Sequence, residues 1–278
     1  GTNPKSGVTI DYYLPANADS LELKLEVLQG GEVIRTVTND KPKDFKSWQG
    51  GPPKPAVLPS SEGHQRFTWD FRRDNLPAVD NVFVFGDYRG SRVSPGTYVL
   101  RLSLEGETVE QSVQILANPN LEVKTESYAE QQKMLEDLAG MVEEIHNSVN
   151  QMRSAKKQLN GYKSLLEDNE TAEELLQLGD SLIGRIDSWE RNLIQPDQKT
   201  FQDVINFNNQ LNAEIMYLRG FVDNADPELT QGSRERFKDL QDDWQVYLKE
   251  RDAIIENEMA GYNEKFKQLN LPAIILEE

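Results

Sequence analysis

"ANPNLEVKT" (Ala117–Thr125) marks the point where the hydrophobic period of the chain changes. Before it, apolar residues recur at every second position; after it, they recur every three or four. Side chains alternate across a strand and return every 3.6 residues on a helix. The switch therefore predicts an all-β unit followed by an all-α unit, a multidomain chain. The proline and two asparagines make the stretch itself a linker. The expected domains are residues 1–117 and 118–278.

On the N-terminal side, "VTIDYYL" (Val8–Leu14) alternates, and "LELKLEVL" (Leu21–Leu28) puts Leu21, Leu23, Leu25 and Val27 on one face. Gly30-Gly31 then turns the chain into "EVIRTV" (Glu32–Val37), a glycine pair typical of a hairpin. Further strands are predicted at His64–Phe71, Asn81–Gly86, Thr97–Leu104 and Glu107–Leu116, with Glu105-Gly106 as the last turn. Seven short strands separated by turn residues predict an immunoglobulin- or fibronectin III-like β-sandwich. Residues 38–62, with five prolines and two glycines, are long for a loop inside a compact domain.

On the C-terminal side, Leu135, Leu138, Val142, Ile145, Val149, Met152 and Leu159 form one helical stripe, with a break expected at Asn160-Gly161. A capping box at Thr171 and Glu174 opens a second helix that Pro196 stops. A third is expected from about Thr200, with Phe201, Val204, Leu211, Ile215, Leu218 and Val222 inward. A fourth follows Asp226-Pro227 and carries Leu240, Trp244, Leu248, Ile255, Met259 and Tyr262. Four amphipathic helices with short connections predict an antiparallel four-helix bundle. "LPAIILEE" (Leu271–Glu278) is expected to pack back on the body.

Composition narrows the chemistry. The 278 residues contain no cysteine, which removes disulfides, thiolate catalysis and Cys-based zinc sites. A net charge of −17 argues against nucleic acid as a partner and against docking on anionic lipid. Residues 1–117 carry a net −2 and the remainder −15, as expected of two units with different surfaces. No window approaches the roughly 18 apolar residues of a membrane span, so no membrane insertion is expected. Gly1 in place of Met reads as a processed chain or as a piece cut from a longer one.

Only two histidines are present, His64 and His146. Glu143-x-x-His146 has the spacing of a di-iron carboxylate motif, but that site needs a second such pair, and the helices hold no second histidine. His146 lies one step off the Ile145 stripe and is expected on the polar face. Asn208 falls at a position where an apolar residue is expected; it reads as a register-setting asparagine or as part of a polar pocket. "DNADPE" (Asp223–Glu228) lacks calcium-loop spacing and reads as a capping turn. No phosphate-loop, nucleophile-elbow or zinc-protease motif occurs. No catalytic, cofactor-binding or metal residue is assigned, and no cofactor is expected.

"GHQRFTWDFRRDN" (Gly63–Asn75) has the residue types of an active site. Alternation, however, puts Phe67, Trp69 and Phe71 on one face, the core side of a strand, with Asp70 and the arginines bracing the turn beyond it. Ser94-Pro95-Gly96-Thr97 is a type II turn by composition and feeds a strand with Tyr98 inward. Phe67, Trp69, Phe71, Pro95, Gly96 and Tyr98 are the expected structural core. Phe45, Trp48 and Tyr88, in or near loops, are the candidate interaction residues, with Phe85 beside them.

"GHQRFTWDFR" followed by "VSPGTYVLRL" resembles a pattern found in immunoglobulin-like modules of exported bacterial proteins. Together with "GVTIDYYLP" and "NFNNQLNAEIMYLRGFVDNADPELTQGSRERFKDL", it resembles the C-terminal region of bacterial BNR-repeat proteins. These are sortilin-like, glycosyl-hydrolase-like β-propellers followed by a β-sandwich and a helical region. The resemblance implies export to the periplasm, the cell surface or the outside. It also implies that any glycosidase residues lie in a propeller, since no Asp-box repeat occurs here. The expected function is that of a non-catalytic accessory module, structural or protein-binding, with the propeller of the same polypeptide or a surface protein as partner. A contact is expected at Trp48 or near Leu271–Leu276. The alternatives are a carbohydrate-binding module acting through Trp48, Tyr88 and Phe85, with a glycan as partner, and a hydrolase with paired carboxylates.

Overall fold

The computed structural model describes residues 1, 3 and 5–270. Among the described residues six strands form: β1 (Val8–Leu14), β2 (Leu23–Gln29), β3 (Glu32–Thr38), β4 (Gly63–Trp69), β5 (Gly96–Leu104) and β6 (Glu107–Ile115). They make two small antiparallel sheets, one of β1 and β4, the other in the order β3-β2-β5-β6. Helices follow: α1 (Thr125–Leu166), α2 (Glu173–Leu193), α3 (Leu211–Val222), α4 (Gln231–Ala253) and α5 (Ala260–Gln268), the last two joined by a π-helical turn, Ile254–Met259. The strands give way to helices around 117/118, but the compact units cut across that point. One comprises Gly1–Leu76, Asp87–Ala139 and Arg219–Gln231; the other comprises Pro77–Gly86, Gly140–Leu218 and Gly232–Glu278.

In the first unit, period-2 sequence becomes sheet. Leu23, Leu25 and Val27 of β2 are buried with Trp69, Tyr98 and Leu100 in one cluster, against which Phe67 and Phe71 pack half-buried. The β2–β3 turn has Gly30 and Gly31 at φ 60° and 90°, and the β5–β6 turn has Glu105 and Gly106 at 49° and 88°. Positive φ at both central residues is the hairpin turn whose twist matches its strands. Trp69 Nε1 donates to the Arg72 carbonyl at 2.8 Å, and the Tyr98 hydroxyl donates to the Ser94 carbonyl at 2.6 Å, so neither polar atom is buried unpaired.

The expected seven-stranded sandwich with a four-helix bundle is not what forms. The fifth expected strand, Asn81–Gly86, is irregular, and Val82, Phe83 and Val84 are all buried in succession. A two-sided strand with one face in water would bury every second residue. This segment belongs to the second unit, where its apolar side chains enter a helical core instead of pairing with a sheet. The sheets are correspondingly reduced, and β1 pairs only with β4.

The helical half departs from a bundle for equally local reasons. α1 runs unbroken through Asn160-Gly161. Asn169, rather than Thr171, caps the turn before α2, accepting from the Thr171 amide at 3.0 Å. Phe201–Ile205 is a single 3-10 turn, and α3 starts only at Leu211. Ile254 is buried where Ile255 was expected, because the inward stripe runs through Trp244, Tyr247, Arg251 and Ile254 at steps of three and four. Residues 271–278, including the expected contact near Leu271–Leu276, lie outside the described residues. No described helix is long and apolar enough to cross a membrane.

Candidate interaction site

In the second unit α1 carries a ladder of polar side chains one turn apart. His146 Nδ1 contacts the Pro77 carbonyl at 2.7 Å, Asn150 Nδ2 donates to Ala78 O at 2.9 Å, and Arg153 Nη1 donates to Asp80 O at 3.2 Å. A helix face repeats at steps of three and four, so one face of α1 holds three carbonyls of an otherwise irregular segment. His146 is fully buried, contrary to the expected polar face, because Pro77 and Asn212 cover the side of α1 next to the Ile145 stripe. Its Nδ1 faces a carbonyl and so carries the proton; its Nε2 accepts from Asn212 Nδ2 at 3.1 Å. Burial lowers the imidazole pKa below its ordinary 6.5, and the Pro77 carbonyl opposes that shift. With both nitrogens engaged, His146 has no nitrogen to offer a metal beside Glu143. Asn212, not Asn208, is the buried asparagine of this region: Asn208 is exposed in the approach to α3.

The ladder delivers Phe83 and Phe85 to the Phe201–Ile205 turn. Phe83 is buried, and the Phe201 ring meets it edge-on at 5.0 Å and Phe85 at 5.7 Å. The turn is fixed by the Asp203 carboxylate, which accepts from the backbone amides of Lys199 (2.7 Å) and Thr200 (2.8 Å). Those two amides hold its pKa below the usual carboxylate value. Gly86 lets the segment approach α3, since a Cβ there would sit 2.9 Å from Met216 Cβ. The outcome is an exposed apolar ridge: Phe85 is 38% exposed, Phe201 53%, Val204 39% and Ile205 84%. A rigid aromatic pair beside exposed aliphatics suits an interface rather than a solvated surface.

Of the candidate interaction residues, Phe45 and Trp48 are half-buried in the loop after β3. The Trp48 ring lies on Gly51, where an added Cβ would come within 2.5 Å of it. Tyr88 is 2% exposed and therefore cannot stack on a ligand at the surface. The far end of the same loop is docked: Leu58 is buried, its amide donates to Thr38 O at 2.8 Å, and the Tyr12 hydroxyl donates to Pro59 O at 2.7 Å. His64 and Arg66 both contact Asp11 on the neighbouring strand, Arg66 through two bonds of 2.7 and 3.0 Å. Among the described residues no group of three or more metal-ligating side chains comes together. Phe201 and Val204 read in sequence as the inward face of a helix. The signal against that reading was local: Thr200-x-x-Asp203 starts a turn, and Asn206, Asn208 and Asn209 end it after one cycle.

No protein-family model, no curated protein and no solved structure matches the chain.

Proposed function

We propose that this chain is a non-catalytic accessory module of an exported protein that docks on another protein surface through Phe85, Phe201, Val204 and Ile205. The observation that carries the reading is the exposure of this ridge on a turn that hydrogen bonds hold in one shape. Such preorganisation lowers the cost of binding. The propeller of the same polypeptide, or a surface protein, is the partner implied by the sequence resemblance. A cleft of about 430 Å3 in the second unit brings Asp187 and Glu190 together, but Lys156 and Arg153 pair with them. Both carboxylates are thus already occupied by ion pairs within the unit, which supports a non-catalytic role.

The test is a photo-crosslinking amino acid placed at Ile205, in cells that make the protein, with Tyr13 as an equally exposed control. A discrete crosslinked protein is expected from Ile205 only, and Phe201→Asp should abolish it. Equal capture at Tyr13, or none at Ile205, would overturn the reading.

A further inference from the structure

Ser94 and Pro95 lead straight into β5, without the positive φ at Gly96 that the expected type II turn requires, and border a cleft of about 480 Å3 in the first unit, closed on its other side by the linker and the first turns of α1. One chain of hydrogen bonds fixes its polar side. The Gln132 Oε1 accepts from the Ser94 amide and hydroxyl, each at 3.2 Å, and its Nε2 donates to Glu136 Oε1 at 3.2 Å. The same Glu136 oxygen receives Arg73 Nη2 at 2.6 Å, and that nitrogen also donates to Gln29 Oε1 at 2.9 Å. Each of these side chains is thereby held in one orientation. Capacity remains: Glu136 keeps its second oxygen as an acceptor, Gln29 keeps its amide N–H groups as donors, and Tyr128 brings a hydroxyl. The facing wall is apolar, with Pro95, Leu121 and Val123 half-buried.

We propose that this cleft binds a neutral sugar residue. Its volume lies within the roughly 300–1,000 Å3 of small-molecule sites. The charges at its edge are matched within the protein, Arg73 with Glu136 and Lys133 with Asp137, so an ionic ligand would have to displace a partner. A purely apolar ligand would cover the Glu136 oxygen and the Gln29 amide without pairing them, a substantial penalty. A pyranose ring satisfies both sides at once. Its vicinal hydroxyls donate to the carboxylate and accept from the carboxamide, while its C–H face lies against Pro95, Leu121 and Val123. This site is separate from the apolar ridge of the second unit, and its failure would leave the docking proposal standing.

The experiment is saturation-transfer NMR followed by titration calorimetry on the full chain with cellobiose, maltose, lactose and N,N′-diacetylchitobiose. At least one should bind saturably, with transfer to its ring protons. Glu136→Gln and Gln29→Ala should each weaken binding about tenfold, the expected loss for one hydrogen bond to a charged or fixed polar group. Trp48→Ala should leave it unchanged, and thermal melts would establish that the variants are folded. No saturable binding by any of the four sugars would overturn the proposal, as would binding indifferent to both cleft variants.

Discussion

Arg72 Nη1 and Asp223 Oδ2 lie 2.9 Å apart, 151 residues distant in sequence, with each side chain only about one-tenth exposed. Arg72 also donates to Gly90 O at 2.7 Å, and the other Asp223 oxygen accepts the Arg92 amide at 3.0 Å. The pair thus closes a loop of the first unit onto the segment after α3. A partly satisfied buried charge is costly, so Asp223→Ala is expected to destabilise by about 3–5 kcal/mol. Arg72→Met combined with Asp223→Leu should cost less than Asp223→Ala alone, because no charge is then left unpaired. Urea unfolding of the three proteins measures both differences.

Trp69 and His64 belong to the same strand and are expected to behave oppositely. Trp69 is 1% exposed, and its ring meets Tyr98 at 5.6 Å and Phe71 at 6.0 Å. Trp69→Ala should cost about 3–5 kcal/mol, enough to unfold a marginal domain. The His64 side chain is 64% exposed, and its contact with Asp11 is shared with Arg66. His64→Ala should change stability by less than about 1 kcal/mol. Thermal melts that ranked the two in reverse would refute the core assignment of this strand.

Stability should depend on the protonation of His146. The folded protein holds this imidazole neutral and lowers its pKa, whereas the unfolded chain restores the ordinary value of 6.5. Below that value the unfolded state binds more protons, so the contribution is fully present above pH 6.5 and is lost as pH falls toward the folded pKa. His146→Gln removes this titration. The difference in unfolding free energy between wild type and H146Q should therefore narrow on acidification through this window. A difference that stayed constant would show that His146 does not titrate between the two states.

Legibility in the sequence followed the range of the interactions. Leu23, Leu25 and Val27 announced β2 by alternation, and the Gly30-Gly31 and Glu105-Gly106 turns announced two hairpins, because these signals are local. Asn81–Gly86 has strand-like composition, but nothing within it says that no neighbouring strand is offered and that α1 side chains hold the carbonyls of Pro77, Ala78 and Asp80 just before it. His146 lies one position from a visible stripe and is buried because Pro77, 69 residues earlier, and Asn212, 66 residues later, cover it. Arg72 was read as bracing a turn. Phe71 at φ 61° shifts the phase of the chain after Trp69, and the next side chain turns inward to Asp223. Within the apolar ridge, Phe201 and Val204 have the spacing of a helix interior, since a step of three residues suits a buried helix and an exposed 3-10 turn alike.

Two glycines separate close backbone approach from mere permissiveness. At Gly90 an added Cβ would lie 2.2 Å from the Arg73 carbonyl oxygen and 2.4 Å from that of Asp74, both backbone atoms that cannot swing away. Gly90→Ala must therefore displace the strand-end loop that also supplies the Gly90 carbonyl to Arg72 and the Arg89 carbonyl to Arg219 at 2.6 Å. The expected loss is about 2–4 kcal/mol, in the range of strained or overpacked sites. Gly161 is exposed on α1, and an added Cβ would meet nothing within 4 Å. Gly161→Ala should accordingly stabilise by up to about 1 kcal/mol, the helix-propensity difference between the two residues. Urea midpoints that moved in opposite directions would confirm that α1 is helical through this position and that Gly90 is held by its neighbours. A Gly161→Ala variant that lost stability would instead place a helix break there.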